Sequence, residues 1–463
     1  MRSRRHNGLA AAVVLTVALV ACEDDGQPPP PAPPTTPTTA PPETTTSVAA
    51  TTSAPDTTPA TAGQGVRAVL DEIIGWMADP ATLDPDRFSD QFLAEVPAEL
   101  IVATFEAIGV GEWNATQVRD TGPNALEATL VGPQMTLSMQ LHLGADGRID
   151  ELGYQPGELT DPPQTLTELT EELAAFEPHV GFLRAEVGAD GECVPVASVN
   201  PDEPLPLGST FKLYVLGAVA AAVAAGDVTW DQPVEMRNER DSLPSGITQD
   251  EPIGTTLPVR ELAQRMIEIS DNTATDYLIE LVGRDAVEAA VADLGHSDPA
   301  ITLPFLTTRE LFIIKADADL LARYSAADTA ERRELLEAEV AGAPLPQLDL
   351  WIEPREVTRA EWFASPTDVC RALVALDELA ATPGLEPVGK VLSTNPGVEV
   401  DPDVFEEVFF KGGSEPGVVF GAWLGRRPDG SRVVVAGGDA DEAVEISPAT
   451  FLLVPLGLTL EAR

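Results

Sequence analysis

The chain has 463 residues, 75 of them acidic and 28 basic, for a formal net charge of −47. That balance excludes binding of nucleic acid through backbone phosphates, which needs a basic patch. The length allows two or three domains, and the acid, spread along the chain, reads as a solvated surface suited to high salt.

The first 22 residues form a targeting segment. Arg2, Arg4 and Arg5 precede an apolar run over residues 9–21, too short to span a membrane as a stable anchor. The run ends in Leu19-Val20-Ala21-Cys22 and turns acidic at Glu23-Asp24-Asp25. Small residues before a cysteine resemble a bacterial lipoprotein signal, which implies lipidation of Cys22 and an extracytoplasmic protein anchored to the cell membrane. No second stretch of 18 or more apolar residues follows. Residues 23–64 are rich in proline and threonine and cannot bury a core, so they read as a disordered tether.

Residues 65–158 read as a small α+β unit. Helical periodicity over 66–77, 86–95 and 97–108 gives way to alternating strands over 113–119, 125–131, 135–143 and 148–153, separated by Gly-rich turns. His142 falls in one of those strands as a surface or packed residue, and no clustered polar constellation occurs there.

From residue 163 to 463 the pattern changes. A helix over 166–176 precedes strands over 180–187 and 193–199. Next comes Gly208-Ser209-Thr210-Phe211-Lys212, opening an alanine-rich apolar helix that Gly226 ends. Positions i and i+3 share a helix face, so Lys212 can reach over Ser209. A serine at a helix N-terminus also meets free backbone N–H groups. Nucleophile, candidate base and half an oxyanion hole thus fall within four residues. Helices follow over 258–269, 274–282 and 285–294, then strands over 404–411, 418–424 and 432–437 and a last helix from Ser447-Pro448. Strands from both ends of this segment can pair into one antiparallel sheet, with the helical middle packed against it. Only four lysines occur, Lys212, Lys315, Lys390 and Lys411, so each invites the question of why arginine would not serve.

Ser209-Thr210-Phe211-Lys212, Ser270-Asp271-Asn272 and Lys411-Gly412-Gly413 together resemble the three ordered motifs of serine β-lactamases and penicillin-binding proteins. The wider likeness is to class A β-lactamases, over about residues 180–460. It implies a β-lactamase-like domain with an antiparallel sheet and an all-helical subdomain. The first unit resembles the steroid-isomerase or cystatin-like unit of two-domain β-lactamase-like proteins from clavulanic-acid gene clusters. By resemblance, Ser209 is the nucleophile and Lys212 a base; Ser270 relays a proton. Asn272 holds Lys212 and the substrate, and Lys411 polarises Ser270 and attracts a carboxylate. Gly413 admits substrate to the strand edge, and the Ser414 and Ser209 N–H groups form the oxyanion hole. The implied substrate is a β-lactam or related amide or ester, or a cell-wall peptide. No cofactor and no metal is implied, and the protein reads as a monomer.

The sequence departs from that family in three places. It has no Leu-Asn pair, so the Glu-x-x-Leu-Asn loop that drives deacylation in class A enzymes is missing. Glu310 is the nearest candidate, in a position that also suits a helix's first turn. The interval before Lys411 is long, and its Trp351, Trp362 and Phe363 read either as a lid or as packing. Gly412 stands where a hydroxyl residue commonly helps hold a carboxylate. Cys193 and Cys370 read as two buried free thiols, since nothing in the sequence places them within bonding reach; pairing in an oxidising compartment is the other reading.

Overall fold

The computed structural model describes residues 62–176, 179–243, 245–346, 353–442 and 448–460. Cys22, the targeting segment, nearly all of the tether and Trp351 lie outside the described residues.

Three helices open the described chain: α1 (Ala62–Ala78), α2 (Asp90–Glu95) and α3 (Ala98–Ala107). A four-stranded antiparallel meander follows in the order β1 (Asn114–Gly122), β2 (Ala125–Val131), β3 (Met135–Leu143) and β4 (Ile149–Leu159). The period-2 pattern is sharpest in β3, where buried and outward residues alternate along the strand. Its inward set, Met135, Leu137, Met139 and Leu141, meets Val66, Ile73 and Phe105 from the helices in one apolar core. His142 is exposed on the opposite face.

The larger unit is built on a five-stranded antiparallel sheet in the order β11-β12-β13-β5-β6. After α4 (Leu166–Leu173), the hairpin β5 (His179–Val187) and β6 (Cys193–Val199) comes early in the chain. It pairs with a late hairpin, β13 joining β5 from Val433↔Glu186 to Ala440↔His179. Between them run β7 (Leu205–Pro206), α5 (Lys212–Ala225), the small ribbon β8 (Pro233–Glu235) with β9 (Thr256–Pro258), and α6 (Val259–Glu268). Then follow α7 (Asn272–Val282), α8 (Arg284–Asp293), α9 (Thr308–Ala316), α10 (Ala318–Ala326) and α11 (Thr329–Leu335). The chain returns through β10 (Phe363–Ala364), α12 (Pro366–Ala380) and α13 (Pro387–Ser393) to β11 (Glu407–Glu415), β12 (Val418–Arg426), β13 (Arg432–Ala440) and α14 (Pro448–Leu453).

The sheet is covered on both faces. One face packs on α12 and, through it, on α5 and the helical subdomain, in a core that includes Phe211, Val215, Val219, Leu278 and Leu373. The other carries Phe182, Trp423 and Val435 against Leu169 of α4 and Leu453 of α14. Burial on two sides explains why β12 and β13 read as continuous apolar runs. Helix α5 is central: the window Gly208–Ala225 has the length and hydropathy to cross a membrane, and 67% of it is buried inside the fold. Gly226 closes α5 at φ +81°.

Two expectations are settled here. Cys193 and Cys370 form a disulfide between β6 and α12, 177 residues apart in sequence, and are not free thiols. Their proximity is a tertiary fact, set by α12 packing on the sheet. Trp362 is buried packing and no lid: its ring stacks on Phe211 with centroids 3.6 Å apart, and its Nε1 donates to the Leu306 carbonyl at 3.0 Å. Residues 318–340 of the long interval form α10, α11 and a helical extension that ends at Val340, packed on α9.

Candidate active site

Ser209 sits in a single tight turn, Gly208–Phe211, that runs directly into α5. The turn needs its glycine: Gly208 has φ +47°, and a Cβ there would lie 2.7 Å from the Ser414 backbone nitrogen. Gly413 is equally constrained, because a Cβ would fall 2.2 Å from the Leu207 carbonyl oxygen and 2.3 Å from the Ser209 nitrogen. The two glycines let strand β11 and the Ser209 turn touch backbone to backbone.

Lys212 is fully buried at the first position of α5, and its Nζ gathers the other motifs. It lies 3.1 Å from Ser209 Oγ and 3.1 Å from Ser270 Oγ, and donates to the Ser270 carbonyl at 2.6 Å and to Asn272 Oδ1 at 2.7 Å. Lys411, 3% exposed on β11, lies with its Nζ 3.1 Å from the same Ser270 Oγ and donates to the Gly412 carbonyl at 2.7 Å. Ser270 is therefore hydrogen-bonded between two lysines. It holds a left-handed backbone, φ +57°, at the break between α6 and α7.

Burial, then the neighbouring Lys411 ammonium, pull Lys212 well below the ordinary lysine range, with Asp271 and Asp276 opposing. Burial alone lowers Lys411 to about 7. Asn272 is fixed from behind, its Nδ2 donating to the Leu243 carbonyl at 2.9 Å. Asp271 braces the loop: one carboxylate oxygen accepts the Ile247 and Thr248 N–H groups at 2.8 and 2.9 Å, the other caps α7 through Ala274 N–H at 2.8 Å.

Glu310 is engaged elsewhere. Its carboxylate accepts the Thr307 N–H at 2.8 Å in a capping box and pairs with Arg284 at 2.6 Å. Sequence reading missed what lies beneath Asn272. Asp276, one turn along α7, is buried and accepts from Thr308 N–H, Thr308 Oγ1 and Arg309 N–H at 2.8, 2.9 and 2.8 Å. Burial raises it to about 7 despite those bonds. The i, i+4 spacing from Asn272 was the available signal. Among the described residues, no group of three or more His, Cys, Asp or Glu side chains could hold a metal ion. His296 is buried and tied to backbone, with Nε2 2.8 Å from the Phe363 carbonyl oxygen.

The five-stranded sheet, the helical subdomain and the placement of the motifs at their junction define a β-lactamase-like fold. The sequence profile of the Beta-lactamase enzyme family matches residues 165–342, less than half of the chain. That span takes in Ser209, Lys212, Ser270 and Asn272 but stops short of Lys411. Similar solved structures include a β-lactamase from Sphaerobacter thermophilus, 22% identical over 64% of this chain and 93% of its own, with a TM-score of 0.45. PBP-A is 20% identical over 64% of this chain and 96% of its own, with a TM-score of 0.42. An ancestral class A β-lactamase is 16% identical over 63% and 96%, with a TM-score of 0.43.

Proposed function

We propose that this chain is an exported, lipid-anchored serine hydrolase of the β-lactamase and penicillin-binding type, acting through an acyl-enzyme on Ser209. The observation that carries the reading is the buried Lys212 amine, 3.1 Å from Ser209 Oγ and held by Asn272. A desolvated lysine with a lowered pKa is a competent base for a serine hydroxyl.

The neutral Lys212 amine takes the Ser209 proton as Oγ bonds to the substrate carbonyl carbon. The N–H groups of Ser209 and Ser414 receive the developing oxyanion. Collapse breaks the bond to the leaving nitrogen or oxygen. Ser270 gives its proton to that atom and takes one from the Lys212 ammonium, so the lysine ends neutral. Lys411 holds Ser270 in line and supplies charge for a substrate carboxylate. Release of the acyl group needs an activated water. Both oxygens of Glu310 are already engaged, which favours slow deacylation, as in an enzyme of the penicillin-binding or D,D-peptidase kind working on cell-wall peptides. The basic start, apolar run and Cys22 support export and lipid anchoring.

Intact-mass measurement with benzylpenicillin and nitrocefin tests the reading, wild type against Ser209→Ala. The expected result is an acyl adduct on wild type alone, long-lived on the time scale of minutes. Rapid turnover of the same probes would place the protein among efficient β-lactamases. No adduct with either probe would sink the acyl-enzyme reading and leave a binding lipoprotein.

A further inference from the structure

A cavity of about 360 Å³ lies beside the short ribbon of β7 and β10, and none of Ser209, Lys212, Ser270 or Lys411 lines it. That volume is at the small end of ligand pockets. Its apolar floor is Leu205 and Pro206 of β7 and Phe363 of β10. The ribbon fixes that floor, pairing Phe363 with Pro206 and Ala364 with Leu205. His179 and Ala440, partners at the end of the large sheet, also line the cavity. The polar wall comes from the long interval before Lys411: Arg332 on α11, then Thr358 and Arg359 ahead of β10. One side is therefore apolar and the other carries two guanidinium groups.

Arg332 is held still without an acid. Its Nε donates to the Tyr324 carbonyl at 3.1 Å and its Nη2 to the Arg359 carbonyl at 3.2 Å. The guanidinium also lies over the Tyr324 ring, 4.8 Å from the centroid. Among the described residues, Arg332 meets no carboxylate and its Nη1 has no hydrogen-bond partner. Its neighbours in the same subdomain do pair, Arg333 with Glu288 and Arg323 with Glu339. In a chain with a formal charge of −47, a half-buried arginine left without an acid is a site that has kept its charge for something else.

Arg359 is set beside it by a turn. Glu356 holds φ +48°, uncommon for a residue with a Cβ, and its carbonyl accepts the Arg359 and Ala360 N–H groups at 2.9 and 2.8 Å. Two acids stand near. Glu356 Oε2 is 3.5 Å from Arg359 Nη1 at the solvent edge, a contact that contributes little and leaves Arg359 able to turn to an anion. Glu442 accepts from the Thr358 hydroxyl, so Thr358 serves as wall and not as donor.

We propose that this cavity is a second ligand site, which binds a small organic carboxylate: Arg332 and Arg359 take the carboxylate and the β7–β10 floor takes its apolar body. Planar guanidinium forks suit a carboxylate, and the net charge of the chain repels anions everywhere a local pair of cations does not override it.

Calorimetric titration of the full chain in 0.15 M NaCl tests this with three probes: 4-phenylbutyrate, its neutral amide, and acetate. The acid should bind saturably, and the amide and acetate should each bind weaker by about tenfold or more, one lacking the charge and the other the apolar body. Arg359→Ala, at an exposed position that the fold does not need, should weaken the acid by a similar factor, as should Arg332→Gln once circular dichroism shows it folded. If Arg332→Gln does not fold, Arg359→Ala decides alone. Amide ¹⁵N shifts locate the acid: they should fall on Leu205, Thr358 and Arg359. Shifts confined to Ser270 and Ser414 would place the acid at the Ser209 site and overturn the proposal. So would absence of saturation, equal binding of acid and amide, equal binding of acid and acetate, or unchanged affinity in Arg359→Ala. None of these outcomes depends on whether Ser209 forms an acyl-enzyme.

Discussion

At the scale of single residues, the site turns on two amines with different tasks. Lys212 must be neutral to accept a proton, and Lys411 must be charged to polarise Ser270. Lys212 is desolvated and also repelled by Lys411, whereas Lys411 is lowered by burial alone, to about 7. Acylation should therefore rise as Lys212 loses its proton and fall as Lys411 loses its own, giving a bell whose alkaline limb lies near pH 7. Lys411→Arg keeps the charge at all accessible pH and should remove that limb, at a cost of about tenfold in rate from the altered donor geometry. An alkaline limb that survives in Lys411→Arg would assign it to another group. Backbone is as exacting as charge here. Gly413→Ala puts a methyl 2.2 Å from the Leu207 carbonyl and 2.3 Å from the Ser209 nitrogen, both backbone atoms that have no rotamer to escape into. It should lower Ser209 acylation by 100-fold or more with the fold retained, as read by adduct mass and circular dichroism.

At the scale of elements, the disulfide ties the edge strand β6 to α12, the helix that covers the sheet. It closes a loop of 177 residues. Replacing both cysteines by serine should cost about 2–5 kcal/mol of stability, seen as a lower urea midpoint. Acylation of the folded fraction should stay unchanged, and a lost adduct in folded protein would show that the bridge shapes the site. This bond also marks where the sequence stops being legible. The strands and the three motifs were readable because they rest on local signals: period-2 alternation in β3, the three-residue spacing of Ser209 and Lys212, the cap before α7. Glu310 was ambiguous because a first-turn acid and a loop glutamate look alike in one dimension; only its bonds to Thr307 and Arg284 decide. The pairing of Cys193 with Cys370 and the stacking of Trp362 on Phe211 depend on chain segments distant in sequence, which no periodicity encodes. Lysine scarcity did point at Lys315, since three of the four lysines prove to be buried where a compact amine fits.

At the scale of the whole molecule, charge dominates. Even if each of the 28 basic residues paired with an acid, 47 of the 75 acidic residues would have no cation. Pairs such as Arg323–Glu339 and Arg237–Glu280 lie exposed, where an ion pair contributes little. The folded state therefore gathers unbalanced negative charge onto a compact surface, while the unfolded chain spreads it out. Screening relieves the compact state more, because its charges sit closer together than the Debye length at low salt, about 30 Å at 0.01 M against about 8 Å at 0.15 M. The urea midpoint should rise steeply between 0.01 and 0.5 M NaCl and flatten beyond, once the screening length falls below the spacing of neighbouring carboxylates. Sodium chloride is the right probe, since sulfate would also strengthen apolar burial and blur the cause. A midpoint that stays level or falls across that range would mean the acidic surface is already balanced in the fold, and that its excess charge serves solubility instead of tolerance to salt.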